Sequence, residues 1–247
     1  MRRIARLPLR KNVRDYLRKR QNKADMKQAL GTLNATAEWK SARTAKSVTE
    51  VLVTLQRMMG VRERCMYCLD SHGADIEHFW PKTPYPGKMF HWPNLLLCCT
   101  ECGRLKGDRF PLDQGQPLLV DPTVEEPWEY LDFDPGTGNI VARFDVSINV
   151  WSPKGLKTVE TLQLDRREAL AAGYRKTFLR LSSIISDRLN TVGPILPGII
   201  DELKEADDHG LLGWCFIGFG QNIQPFSDLR VRHPDVWVAC IAAISVA

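Results

Sequence analysis

Two Cys-x-x-Cys pairs, Cys65-Met66-Tyr67-Cys68 and Cys99-Thr100-Glu101-Cys102, constrain this chain more than any other feature in it. The short spacing lets both sulfurs of a pair reach one ion at about 2.3 Å, so two pairs make two halves of a tetrahedral thiolate site. A four-cysteine site is closed and leaves no open position for a substrate. The expected ion is therefore a structural zinc that holds the fold, with the chemistry elsewhere; the alternative is four buried free thiols. The chain has seven cysteines, an odd number, and its start lacks the apolar run of a secretory signal. Both facts argue against a disulfide framework. Cys98, one position out of register, and Cys215 and Cys240, in apolar surroundings, are expected in the core.

The 30 residues between the pairs, 69–98, leave room for a functional insert. Its first notable stretch is Asp75-Ile76-Glu77-His78-Phe79-Trp80-Pro81-Lys82. A histidine flanked by carboxylates is a candidate general base beside a metal. In a short strand Asp75 and Glu77 project to one face, Ile76 and His78 to the other. The second stretch is Asn94-Leu95-Leu96-Leu97, which runs into the second cysteine pair and then Gly103-Arg104-Leu105-Lys106-Gly107. Plainer readings exist for each. His78 can be a satisfied core histidine, Asn94 a turn residue, and Arg104 and Lys106 a solvated helix face. The aromatic residues Phe79, Trp80, Tyr85, Phe90 and Trp92 read as the small core such an insert needs.

These residues resemble the HNH endonucleases of the ββα-metal fold. Ile76-Glu77-His78-Phe79, the run from Trp92 to Cys102, Lys106-Gly107-Asp108 with Phe110-Pro111, and residues 117–140 look like the HNH proteins of bacterial anti-phage systems of the Septu and retron types. The resemblance runs from about residue 65 to residue 164. It implies that His78 activates water for attack on phosphorus, that Glu77 holds a catalytic Mg²⁺ or Mn²⁺, and that Asn94 orients the histidine. It implies that Cys65, Cys68, Cys99 and Cys102 hold the zinc, and it implies an ATPase partner of the ABC/SMC-like kind. Lys82, Arg104 and Lys106 are the cations expected to contact nucleic acid, DNA or RNA. One departure stands out: the family usually has Asn or His directly after the second pair as a further metal ligand, and here that position is Gly103. The metal is then expected on Glu77, waters and substrate phosphates, with Asp75 as a possible extra oxygen. Gly103 also keeps alive a rival reading, a non-catalytic zinc-stabilised module that binds nucleic acid or a partner.

The rest of the chain frames this insert. The net charge of +5 is uneven: residues 1–50 hold fourteen Lys/Arg against four Asp/Glu. A basic leading segment on an acidic body suits a polyanion-binding arm, or a solvated helix. Residues 10–30 read as a basic helix. Ser47-Val-Thr-Glu50 reads as a capping box, followed by an apolar face of Val48, Val51, Leu52, Leu55 and Met59 that Gly60 ends. Residues 130–133 and 140–144 read as a hairpin around the turn at 134–138. Asp165 is placed to cap a long helix burying Leu170, Phe178, Leu181 and Ile185. Shorter helices follow a break at Pro194 and Pro197, the last with Pro234 in its first turn. The expected organisation is a basic helical arm (1–46), a nuclease core with zinc (47–117), a linker and hairpin (118–153) and a helical region (154–247). The fold class is α+β, a small ββα zinc unit embedded in a mostly helical protein. No apolar run is long enough to span a membrane, and a cytoplasmic location is expected.

Overall fold

The computed structural model describes residues 1–191 and 196–245; the expected break at Pro194 lies outside them. The chain is α+β and divides into two compact units. One comprises Ile4–Tyr67 and Ser71–Pro117; the other comprises Met1–Arg3, Cys68–Asp70 and Leu118–Ala247. No helix among the described residues is long and apolar enough to cross a membrane.

The first unit opens with three helices. In α1 (Lys11–Ala29) the residues buried are Val13, Leu17, Gln21 and Ala24, at the three-to-four spacing that lines one helix face, while most of the cations point outward. Helix α2 (Ala35–Arg43) is capped by the side chain of Asn34, which accepts from the Ala37 amide, and buries Glu38, Trp39 and Ala42. Helix α3 (Lys46–Met58) buries Val48, Val51 and Leu55 and stops at Gly60, whose φ of +74° suits glycine. The expected capping box does not form: the helix starts one residue before Ser47, and its N-cap is Ala45, which has no side chain able to cap.

Strand β1 (Asp75–His78) pairs antiparallel with β2 (Leu95–Cys98), placing Asp75 opposite Cys98 and His78 opposite Leu95. All four residues of β2 are buried, and α3 packs against it. The short helix α4 (Thr100–Lys106) follows β2 after a single residue, Cys99, which is its N-cap. This β1–β2–α4 succession is a ββα unit. A two-residue ladder between β3 (Leu112–Asp113) and β4 (Gln116–Pro117) closes the unit.

The second unit begins with the hairpin of β5 (Leu131–Phe133) and β6 (Ile140–Ala142). Its turn needs Gly138, at φ +85°, because a Cβ there would lie 2.2 Å from the Ala171 carbonyl oxygen. Phe144 belongs to a second hairpin, β7 (Phe144–Asp145) with β8 (Val150–Trp151), and does not extend the first. Ser152 caps α5 (Pro153–Leu162) by accepting from the Gly155 amide at 3.1 Å. The long helix α6 (Glu168–Asn190) buries Leu170, Phe178, Leu181 and Ile185 as expected, but its N-cap is Arg167, with no side-chain bond. Asp165 lies too far upstream to cap it. The unit ends with α7 (Leu196–Ala206), α8 (Leu212–Phe216), α9 (Phe226–Arg232) and α10 (Pro234–Ser245). Cys215 and Cys240 are buried here. The rings of Phe133, Phe178 and Trp214 meet at centroid distances of 5.1 to 5.8 Å and form an aromatic centre for this core. Several acidic residues of 121–134 are held locally: Asp121 accepts from Thr123, Glu125 pairs with Lys154, and Asp132 accepts from the Trp214 indole.

Candidate active site and metal centre

The four cysteines of the two pairs converge. The sulfurs of Cys65, Cys68, Cys99 and Cys102 all lie within 4.8 Å of one another, and all four residues are buried. A closed, all-thiol, water-excluded quartet is the donor set that suits a soft-tolerant tetrahedral ion such as zinc. The amide of Cys102 points at Cys99 Sγ from 3.4 Å, so the first turn of α4 aims a backbone donor at one sulfur. Cys98 stands outside the quartet. Its Sγ donates to the Cys99 carbonyl at 3.2 Å and lies 4.0 Å from Cys65 Sγ.

A cavity of about 710 Å³ opens beside this cluster, lined by residues of α2, α3, β1 and α4. Every residue of β1 reaches its wall, His78 and Glu77 included. The His78 ring is 3% exposed, and its Nε2 lies 3.0 Å from the Met89 carbonyl oxygen. A carbonyl only accepts, so Nε2 carries the hydrogen and Nδ1 keeps the free lone pair. Burial drives the His78 pKa down to about 3, with the charges of Lys82 and Lys106 adding to the effect, so the ring is neutral at physiological pH. Trp39 packs edge-on against it, with ring centroids 4.4 Å apart.

The side-chain hydrogen bonds of Asn94 go to backbone groups and not to the ring. Its Oδ1 accepts from the Trp80 amide at 2.7 Å, and its Nδ2 donates to the carbonyls of Trp80 at 3.0 Å and Lys88 at 2.9 Å. One buried amide thus ties the end of β1 to the segment just before Met89, the residue whose carbonyl sets the tautomer of His78.

Glu77 meets a buried lysine. Lys106, with no exposed surface, places Nζ 3.0 Å from Glu77 Oε1 and 2.7 Å from the His78 carbonyl. Burial raises the Glu77 pKa and lowers that of Lys106, while each charge pulls the other back toward its ionised form. The second oxygen, Oε2, faces the position after the cysteine pair: a Cβ on Gly103 would lie 3.6 Å from it. Asp75, on the same strand, is engaged by Arg43 at 2.6 Å on the exposed rim. Of the three cations expected at phosphate, Lys82 and exposed Arg104 line the cavity, whereas Lys106 lies inside the protein with its charge on Glu77. The difference arises because Lys106 falls on the inner side of the short helix α4, which places a long side chain under β1.

Trp39, Arg43 and the Met89 carbonyl belong to the site without having been singled out. Trp39 carried a signal, as the one large apolar residue in the polar stretch that became α2. A backbone carbonyl carries none.

No protein-family model matches the chain. Over 112 residues it is 30% identical to Septu protein PtuB of Bacillus thuringiensis, a match that takes in 43% of this chain and 38% of that protein. The chain therefore covers well under half the length of this curated relative.

Proposed function

We propose that this protein is a metal-dependent HNH endonuclease that hydrolyses nucleic-acid phosphodiester bonds as part of a Septu-type anti-phage defence complex. The similarity to Septu protein PtuB supports the defence role. The observation that carries the chemistry is the placement of His78: its Nε2 is fixed by the Met89 carbonyl, and its Nδ1 lone pair is left free on the wall of an open cavity.

In this reading His78 Nδ1 takes a proton from the attacking water as the water adds to phosphorus. The Met89 carbonyl holds the ring and favours the positive charge it gains. Asn94 and Trp39 are positioning residues: one anchors the backbone around Met89, the other packs against the imidazole. Lys106 favours the ionised form of Glu77 against the effect of burial and directs Oε1 inward, which leaves Oε2 as the oxygen available to a catalytic Mg²⁺ or Mn²⁺. A single carboxylate oxygen suits an ion that keeps several waters and takes other ligands from substrate phosphate. Such an ion supplies charge stabilisation at the scissile phosphate and leaving oxygen. Lys82 and Arg104 hold the flanking phosphates, and the four cysteines hold zinc and so keep β1, β2 and α4 in register. The partner in this reading is an ATPase that regulates or delivers the nuclease.

A second reading has one observation behind it. Gly103 supplies no ligand and Glu77 is already paired with Lys106, as befits a zinc module that binds without cutting. The deciding experiment incubates the purified protein with single- and double-stranded DNA and RNA in Mg²⁺ or Mn²⁺, alone and with the proposed ATPase partner. Cleavage that requires the divalent ion supports the nuclease. Binding without cleavage in every combination supports the module.

A further inference from the structure

We propose a second binding site in the same compact unit: the groove between α1 and the turn at residues 90–93 holds a single-stranded segment of nucleic acid. The proposal rests on the reading of the neighbouring cavity as a nucleic-acid site, and extends it to where the strand is held.

The groove has a volume of about 360 Å³, and its walls include Arg14, Arg18, Asn22, His91 and Trp92. Helix α1 carries seven Lys/Arg against two Asp, and Arg14 and Arg18 are exposed on it. Arg18 shares its charge with Asp15 in a solvent-exposed pair at 3.0 Å, a contact that a phosphate can displace. Facing these cations is a fixed aromatic edge. The Trp92 indole N–H donates to the Leu7 carbonyl at 3.2 Å, and the Arg6 guanidinium lies 5.0 Å from the ring centroid. Arg6 is itself pinned, donating to the carbonyls of Trp92 and Leu95 at 3.0 Å and of Pro93 at 2.6 Å. The ring is partly exposed, satisfied at its one polar atom and covered by Arg6 on one face, so a base would stack on the other face of a ring already held by these contacts.

The floor is equally rigid. Gln21 is 4% exposed; its Oε1 accepts from the Phe90 amide at 2.8 Å, and its Nε2 donates to the Pro86 carbonyl and to Asp25. That last bond fixes one oxygen of Asp25, which lines the groove with its charge intact, so the cations Arg14 and Arg18 have to outweigh it. Cations tracking a backbone beside a fixed aromatic platform are the means by which proteins hold single strands, because a base offers its face only when unpaired. The groove also joins the candidate active site through the chain itself. Met89, which fixes His78, immediately precedes Phe90, His91 and Trp92.

The test measures binding of a labelled single-stranded oligonucleotide by fluorescence anisotropy, without added divalent ion, for wild type, Arg14→Glu/Arg18→Glu and Trp92→Leu. The charge reversal is expected to weaken binding about tenfold or more and to lower the salt-dependence slope by about 1.4, the release from two phosphates. Trp92→Leu is expected to weaken single-strand binding about tenfold while leaving duplex binding near wild type. Circular dichroism confirms that each variant is folded, and the arginine pair, being exposed, reads out even if Trp92→Leu is not. Wild-type affinity in the charge-reversal variant overturns the proposal. So does an equal loss on duplex and single strand with Trp92→Leu silent, or competition by polyglutamate as strong as by oligonucleotide. Hydrolysis of a small phosphodiester too short to reach the groove separates the two claims. It stays at the wild-type rate in these variants if the cavity is catalytic, and its absence in wild type counts against the nuclease while leaving the binding result to stand.

Discussion

A lysine ammonium with no exposed surface has to be held by oxygens, and Lys106 is held by two that matter, Glu77 Oε1 and the His78 carbonyl. Removing one partner of such a pair strands the other charge, at a cost of about 3 kcal/mol. Lys106→Met is therefore expected to lower the melting temperature, and Mn²⁺ is expected to restore more of it in the variant than in wild type, because the freed carboxylate gains an ion. Equal Mn²⁺ shifts in both proteins would contradict the pairing. Gly103 invites the opposite change. Gly103→Asn sets a side-chain oxygen within reach of the space beside Glu77 Oε2 and should lower the Mn²⁺ concentration for half-maximal cleavage about tenfold, or about 1.4 kcal/mol of ion affinity. Titration of cleavage against Mn²⁺ checks it. At this scale the sequence was readable where a residue type has a narrow use. Cysteine spacing led to the quartet, and the Glu77-His78 step to the strand that lines the cavity. It was not readable for Lys106, because a basic residue near a candidate nuclease site reads as a phosphate contact until the short helix is seen to turn it inward.

At the scale of elements, α1 and α2 are clamped by charge as well as by apolar packing. Glu38, buried on α2, pairs with Arg20 and Lys27 of α1. The hydrogen bond from Lys27 is the main cause of a Glu38 pKa below its usual 4.5, helped by the charge of Arg20 and opposed by burial. A depressed carboxylate pKa stabilises the fold above the unfolded value, and that contribution is lost as pH falls through the folded pKa. Glu38→Gln is expected to destabilise the unit by about 1–2 kcal/mol at neutral pH, since Lys27 is partly exposed and screened. The gap between wild type and variant should narrow in denaturation curves as pH drops below 4.5. Helix periodicity made α1, α3 and α6 legible, and the turn chemistry around Gly138 made the first hairpin so. Caps were less legible. Ser47 and Asp165 have the right chemistry, but α3 begins before one and α6 well after the other, because packing of the apolar faces sets where each helix starts. Phe144 likewise reads as the end of one strand and in fact opens another hairpin.

Across the whole molecule, the ββα unit is small and its four-cysteine cluster is buried, so much of its stability is expected to come from the bound ion. Structural zinc contributes folding free energy outright, about 10–16 kcal/mol in isolated zinc peptides. Chelation of zinc, or Cys65→Ser with Cys102→Ser, should cost the chain cooperative unfolding of this unit in calorimetry, and metal analysis should fall from one equivalent toward none. An unchanged melting profile in the metal-free protein would show that the thiols are mere core.

The claim that binds these scales together is that His78 acts as a base. The most direct measurement is single-turnover cleavage by wild type and His78→Ala at saturating Mg²⁺ or Mn²⁺, with zinc content measured on both to show that the fold is intact. The account predicts a loss of about 10²- to 10⁴-fold at equal zinc stoichiometry and unchanged oligonucleotide affinity. Cleavage at the same rate by a fully zinc-loaded His78→Ala protein would contradict it.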